Sequence, residues 1–592
     1  MQKNELLNAL CTAGKTKVLL ATVSGAASTK PAMIRFFNDV VPAIDIITTK
    51  SFQVTENKGN PEPIICEPEL GTFGNSVGLR NPGMKQATAE LKALREKKQI
   101  NKVLNISLSA SNPADFITLV KNFESLADML ELNFSCPHAA SGFGASIGCH
   151  LDIAASYVRE IKAAVPNLSV PLFVKLTPNV SNIGEIAAAC VAAGADGIVA
   201  INTVGPELYL EPQSQTPILN NKLGGKGGKS GRAVFPIAVK AMHDIRKAVG
   251  ETVPIIGMGG VARGSDAAQL IQAGANVVGI GSALAQVNQA QWAAYLAAIK
   301  SEAKDILENA TEKSPKKRES RPSESFLSPV PKMTYIEHRI IEIEYDGADV
   351  LILKLDGEME YAAGEFVFLW LPGVGEKPFT IALSRPLSFM IKKRGAFTEA
   401  VFRCKVGDKI YIRGLYGAPI NSAKTKKAFL VAGGTGVAVL PKLAEALHAA
   451  GTRIETFVGT SEQNAANEIT DTAQNSIEAA LSQYGNFRRI ADNGTVARVL
   501  NVLEAELKRR LAAESINAVD YAFYIVGPTP FFTRAAEMLC STGIAQKNIF
   551  LSLEKLTRCG VGLCGECGCG QKLSCQCGTF FRYDEYLREN ER

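Results

Sequence analysis

At 592 residues the chain is too long for one hydrophobic core, so two to four domains are expected. Apolar residues at 46%, charged residues at 21% and a net charge of +6, with no basic run interleaved with aromatics, describe an ordinary globular protein and give no nucleic-acid signal. The N-terminus lacks a secretory apolar core and no apolar stretch of about 18 residues occurs, so no membrane span is expected; scattered cysteines (Cys11, Cys66, Cys136, Cys149, Cys190, Cys404, Cys540) then read as reduced thiols of a cytoplasmic protein.

Residues 1–300 alternate short apolar runs with helical patterns. Eight candidate strands fall at 18–24, 44–50, 103–109, 129–135, 172–178, 197–203, 254–260 and 277–283. Eight such repeats joined by crossovers predict a TIM barrel, in which chemistry gathers where strands exit at their C-terminal ends. Those exits carry Ser24, Lys50, Ser107, Cys136, Lys175, Asn202, the pair Gly259-Gly260 and Gly281-Ser282. Loop-starting polarity accounts for the serines and glycines, but less well for two lysines and a cysteine.

From 301 to 332 the sequence turns rich in Ser, Pro, Lys and Glu and reads as a linker. A strand-rich section at 333–422 precedes an α/β section at 423–552 that opens AFLVAGGTGVAVL. There Gly433, Gly434, Thr435 and Gly436 would bring backbone N–H groups and a helix start against a phosphate, although the string is not a full G-x-G-x-x-G. The last section, 553–592, holds six of the thirteen cysteines, spelling C-x4-C-x2-C and further cysteines from Cys559 to Cys577. This is the plant-type 2Fe–2S spacing; zinc is the competitor, but it favours paired C-x2-C knuckles or added histidines.

These strings resemble two families. The first half is similar to class 1 dihydroorotate dehydrogenases of the NAD-linked type, through Asn75-SVGLR-Asn81-PG, ELNFSCP (131–137), FVKLTPNV (173–180), AINT (200–203), GGKSG (227–231), IIGMGG (255–260) and GIGSA (279–283). The second half resembles the electron-transfer subunit of those enzymes, a member of the ferredoxin-reductase superfamily, through EKPFT (376–380), RG-x-FT (394–398), GD-x-IYIRG-x-YG (407–417), AGGTGVAVL (432–440) and LEKLTRCGVGLCGECG (553–568). Most relatives keep these halves as separate subunits; here they are joined. One loop departs from the pattern: His138 follows Cys136-Pro137 where Asn is usual, and this SCPH spelling, with Cys149 beyond it, is similar to dihydropyrimidine dehydrogenases.

The resemblance implies an FMN-binding barrel at 1–300, a linker at 301–332, an antiparallel FAD-binding β-barrel at 333–422, an NAD-binding α/β domain at 423–552 and a 2Fe–2S segment at 553–592. It implies oxidation of dihydroorotate to orotate, with electrons relayed from FMN through 2Fe–2S and FAD to NAD. Cys136 would be the base, with Lys175 and Lys50 at flavin and substrate. Asn75, Val77, Gly78, Leu79, Asn133, His138, Asn202 and Thr203 would hold substrate. Ser24, Gly25, Lys50, Asn105, Lys175, Gly231, Gly259, Gly260, Gly281 and Ser282 would hold FMN. Lys377, Phe379, Thr380, Gly395 and Thr398 would hold FAD, with Lys377 where Arg is usual, and Gly433–Gly436 the nicotinamide nucleotide. Cys559, Cys564, Cys567 and Cys575 would ligate the cluster, with Cys569 and Cys577 as bystanders. A homodimer through the barrel is implied, with no nucleic-acid or membrane partner. Reduction of uracil or thymine with NAD(P)H is the alternative reaction. An electron-transfer reductase serving a partner protein is the alternative of another class.

Overall fold

The computed structural model describes residues 2–14, 17–27, 30–134, 147–309, 322–420, 425–461, 469–492, 498–513 and 520–591. Their contacts separate two compact units: Met1–Thr334 with Val561–Gln571, and Tyr335–Gly560 with Lys572–Arg592.

The first unit is built on twelve strands: β1 Leu20–Thr22, β2 Ile44–Thr48, β3 Ile65–Glu69, β4 Thr72–Asn75, β5 Val103–Leu108, β6 Met129–Asn133, β7 Leu172–Lys175, β8 Gly197–Ala200, β9 Val204–Leu208, β10 Lys226–Gly231, β11 Ile255–Met258 and β12 Val277–Ile280. Eight of them close a parallel barrel in the order β1-β12-β11-β8-β7-β6-β5-β2. These are the eight expected from sequence, each ending a few residues early because its expected range ran into the exit loop. Their side chains are buried almost throughout, as parallel strands covered by helices require. The remaining four form an antiparallel sheet in the order β3-β4-β10-β9 that the periodicity did not reveal.

One boundary needs correcting. Residues 301–309, read as linker, continue the helix Trp292–Asn309. Ala303 is fully buried on the face that also buries Ile299 and Leu296, so the helical stripe outlasts the apolar composition. The Ser323 hydroxyl donates to Glu302 Oε2 at 2.6 Å.

In the second unit, β13 Ile336–Tyr345, β14 Val350–Leu355, β15 Phe366–Leu371, β16 Gly375–Thr380, β17 Leu383–Ser384, β18 Leu387–Lys392 and β19 Lys409–Tyr416 form one antiparallel sheet. Its order is β16-β15-β19-β13-β14-β18-β17, so among the described residues the ladder ends on two edges and is not the closed barrel expected. The edge strands β16 and β17 are consecutive in the chain, joined by the fully buried Ile381-Ala382.

Strands β20 Lys427–Gly433, β21 Arg453–Ser461, β22 Ile469–Thr470, β23 Gly485–Asp492, β24 Tyr521–Val526 and β25 Ile549–Ser552, with Phe580–Arg582, make a second sheet. Its order is β22-β23-β21-β20-β24-β25 and then Phe580–Arg582, with β20 to β25 parallel apart from the short β22. No described helix is long and apolar enough to cross a membrane.

Candidate active site

The exits of β1, β2, β5, β6 and β8 are cross-linked by polar side chains that would be unfavourable to bury singly. Ser51 Oγ lies 3.0 Å from Ser24 Oγ and 2.9 Å from Ser107 Oγ, and accepts from Asn133 Nδ2 at 3.0 Å. Asn202 Nδ2 reaches Asn133 Oδ1 at 3.4 Å, while Asn202 Oδ1 accepts from the Thr203 amide at 2.8 Å. Asn133, Asn202, Thr203, Ser24 and Lys175 therefore share one end of the barrel.

At the centre of this array is a residue the sequence reading missed. Glu131 is fully buried on β6, and its carboxylate accepts from Ser107 Oγ at 2.9 Å and Asn105 Nδ2 at 3.4 Å. Lys175 Nζ stands 3.8 Å from Glu131 Oε1, with both side chains no more than 5% exposed. A buried lysine of this kind is tolerable only beside a counter-charge whose lone pairs are otherwise satisfied. Glu131 was legible in principle, as a carboxylate at an inward position of the apolar run MLELN, two residues before Asn133. Asn105 is also fully buried; its Nδ2 also meets Thr48 Oγ1, while its Oδ1 has no partner among the described residues. That leaves an acceptor for a bound group bearing an N–H or O–H donor.

Of the glycines expected to hold FMN, Gly260 and Gly231 meet. A Cβ on Gly260, at φ +78°, would lie 2.6 Å from Gly231 O and 2.9 Å from the amide nitrogen of Phe235, which opens the helix Phe235–Val249. A Cβ on Gly281 would lie 2.6 Å from Val23 Cγ2, beside Ser24, and one on Gly25 3.1 Å from Lys50 Nζ. Gly231 and Gly260 thus bring bare backbone together beside a helix N-terminus, a suitable cradle for an anion.

Asn75 ends β4, and its Nδ2 donates to Gly228 O at 3.1 Å, tying the loop after it to β10. That loop passes through Gly78 and Leu79 at φ +73° and +56°, and is held by the Asn60 amide on Val77 O at 3.1 Å. Cys136 and His138 lie outside the described residues. Cys149, just beyond them, is a half-buried thiol whose pKa burial raises.

In the second unit, Lys377, Phe379 and Thr380 lie on β16, partly exposed. Thr398 does not present a spare hydroxyl: its Oγ1 accepts from the amides of Arg394 and Gly395 at 2.8 and 3.1 Å, capping the short helix Ala396–Val401. Next to Lys377, Glu376 is clasped by Arg413, Nε to Oε2 at 2.8 Å and a terminal nitrogen to Oε1 at 2.6 Å, with both side chains fully buried. Tyr335 OH donates to Glu376 Oε2 at 2.6 Å, and Arg413 also donates to Tyr416 OH at 2.7 Å and to Cys559 O at 3.0 Å.

Gly433–Gly436 sits where β20 ends. In chain order the parallel strands read third, second, first, fourth, fifth across the sheet, and β20 and β24 flank the reversal. Crevices at such switch points receive ligands in open α/β sheets. A Cβ on Gly436 would meet Val526 Cγ1 at 2.9 Å at the end of β24, so the glycine lets the loop close onto that strand.

Cys559 and Cys575 belong to the second unit and Cys564 and Cys567 to the first; all but the half-buried Cys564 are buried. Among the described residues no group of three or more His, Cys, Asp or Glu could hold a metal ion. A 2Fe–2S cluster asks for two thiolates per iron.

Known proteins sharpen the first half. Residues 37–306 match the family profile described as dihydroorotate dehydrogenase. The dihydroorotate dehydrogenase B (NAD(+)) catalytic subunit of Methanothermobacter thermautotrophicus is 39% identical over 238 residues, 40% of this chain and 74% of that protein. This chain belongs to the dihydroorotate dehydrogenase family. The corresponding subunit of Methanocaldococcus jannaschii is 41% identical over 237 residues, again 40% of this chain and 74% of that one. Dihydroorotate dehydrogenase A (fumarate) of Lactobacillus delbrueckii subsp. bulgaricus is 37% identical over 271 residues, 45% of this chain and 84% of the relative. Relatives named for two different electron acceptors thus match the same barrel, and membership of the dihydroorotate dehydrogenase family does not fix the acceptor.

Proposed function

We propose that this chain oxidises dihydroorotate to orotate in its barrel, for pyrimidine biosynthesis. Electrons would leave through a ferredoxin-reductase-like module fused behind it, carrying a 2Fe–2S cluster and FAD, and reach NAD+. The observation that carries the reading is the buried array Glu131, Lys175, Asn105, Ser107, Ser51 and Asn133 at the barrel exits of a dihydroorotate dehydrogenase family member.

The residues fit FMN. The bare backbone where Gly260 meets Gly231 suits its phosphate, with Gly259, Gly281 and Ser282 as further expected contacts, and the unpartnered Asn105 Oδ1 suits a ring N–H. When bound, FMN supplies the acceptor for the substrate hydride. Lys175 places a fixed positive charge where the accepted pair adds negative charge. Lys50 would serve flavin and substrate together. Asn75, Asn133 and Asn202, with Thr203, offer the paired donors and acceptors that the amide edges of a dihydropyrimidine need. Val77, Gly78 and Leu79 would present loop amides to the substrate carboxylate. Cys136 would take the proton from the carbon next to the one that loses hydride. A thiol with an ordinary pKa near ~8.5 suits that role with modest tuning.

In the second half, Lys377, Phe379, Thr380 and the Gly395 loop would hold FAD, with Thr398 shaping the loop rather than binding phosphate. The switch-point loop Gly433–Gly436 would hold NAD. Cys559, Cys564, Cys567 and Cys575 would ligate the cluster, which would supply a one-electron relay between two flavins that each exchange electrons in pairs or singly. A cytoplasmic homodimer, paired through the barrel, completes the reading.

Anaerobic mixing of the purified protein with dihydroorotate or dihydrouracil tests it. Bleaching of the flavin by dihydroorotate, followed by NAD+ reduction, is expected. Bleaching by dihydrouracil alone would reassign the chain to pyrimidine reduction, the reaction to which the SCPH loop bears a resemblance.

A further inference from the structure

The stretch Val561–Gln571, which carries Cys564, Cys567 and Cys569, belongs to the first unit. It is seated on loops of the barrel exit. The Ala27 amide donates to Leu563 O at 2.8 Å, with Ala27 fully buried and in the left-handed region at φ 55°. A Cβ on Gly565 would lie 3.2 Å from Ala27 Cα, so this glycine permits the close approach. Lys30 Nζ donates to Glu566 O. At the far end Gln289 Nε2 donates to Gln571 O at 2.8 Å and Gln571 Nε2 to Asp39 Oδ2 at 2.9 Å.

Most of these bonds involve backbone. Among the described residues, the contact between opposite charges is Arg80 Nε to Glu566 Oε1 at 2.9 Å, with the side chains 30% and 11% exposed. Arg80 is itself braced by donation to Lys58 O at 3.0 Å. It belongs to the loop Asn75–Asn81, whereas Ala27 closely follows Ser24-Gly25. One short segment bearing three cysteines therefore touches both the loop read as substrate-binding and the loop read as flavin-binding.

We propose that Arg80 and Glu566 are positioning residues that dock the cysteine segment onto the barrel exit, so that electron departure from the barrel, but not its chemistry on substrate, depends on the pair. The consequence for electron flow rests on the function proposed above; the docking itself does not.

The test uses full-length R80A, E566A and the charge-swapped R80E/E566R. Amide hydrogen exchange over Leu563–Gln571 should quicken about two- to five-fold in each single variant, the range expected for one partly exposed ion pair, and return toward normal in the swap. In E566A, dihydroorotate should still reduce an artificial dye at the wild-type rate, while NAD+ reduction falls at least about twofold. Unchanged exchange in both single variants, or a swap no better than either, would overturn the docking role. Should the wild type fail to reduce NAD+ with dihydroorotate, the proposed function falls and the exchange experiment still decides the docking.

Discussion

Glu131 shows how one side chain organises a site. It balances Lys175 and is held by Ser107 and Asn105, so the lysine's position depends on a residue with no assigned chemistry of its own. Glu131→Gln keeps the shape and removes the charge. We expect about tenfold slower flavin reduction by dihydroorotate and weaker flavin retention, as for outer partners of a reactive group. Stopped-flow absorbance and flavin content after gel filtration check this, and wild-type values for both would remove Glu131 from the mechanism. Cys190 shows the opposite case, a thiol made inert. It is fully buried, and burial pushes its pKa from 9.0 up to about 12. The folded chain should therefore protect Cys190 from iodoacetamide at pH 8, with the unfolded chain labelled at once, as read by peptide mass spectrometry. The sign for stability follows. The unfolded thiol ionises first, so this contribution is complete below pH 9 and is lost as pH rises from 9 toward 12.

At the scale of elements, strands succeed or fail by whom they face. The eight barrel strands are apolar runs buried on both faces, and such runs announce themselves in sequence. The sheet β3-β4-β10-β9 is built from strings such as ICEPE and KGGKSG, whose pairing is decided by distant partners, so nothing local marks it. In the second unit β16 and β19 are joined through Glu376 and Arg413, both fully buried. Glu376→Ala would leave the guanidinium without its counter-charge, at a cost of about 3–5 kcal/mol. The full-length protein should show a lowered thermal transition for the second unit, whereas the barrel transition holds. An unchanged melting profile would mean that Tyr416 and Cys559 O suffice for Arg413.

At the scale of the whole molecule, the function proposed here needs both units, because its FMN chemistry and its nucleotide chemistry would lie in different folds. Cys575→Ser separates them. We expect loss of the visible cluster absorbance and of dihydroorotate-driven NAD+ reduction, with dye reduction at the barrel retained. A cluster that survives in this variant would move the fourth ligand to Cys569 or Cys577, the bystanders of the same segment.

The sequence alone determined the barrel. Period, length and the polar residues closing each run placed eight strands and put Lys175, Asn133 and Asn202 at one end of them, since consecutive crossovers leave little freedom in parallel topology. It also determined the family, through strings that keep their order along the chain, and the crowding of cysteines at the C-terminal end. The tertiary structure decided what depends on approach between distant residues. Only folding sets Glu131 beneath Lys175, presses Gly260 against Gly231, commits the Thr398 hydroxyl to a helix cap, and seats Glu566 on Arg80. Each of these rests on contact at hydrogen-bonding or van der Waals distance between residues with no periodic relation, and such contacts leave no local trace in a single chain's spelling.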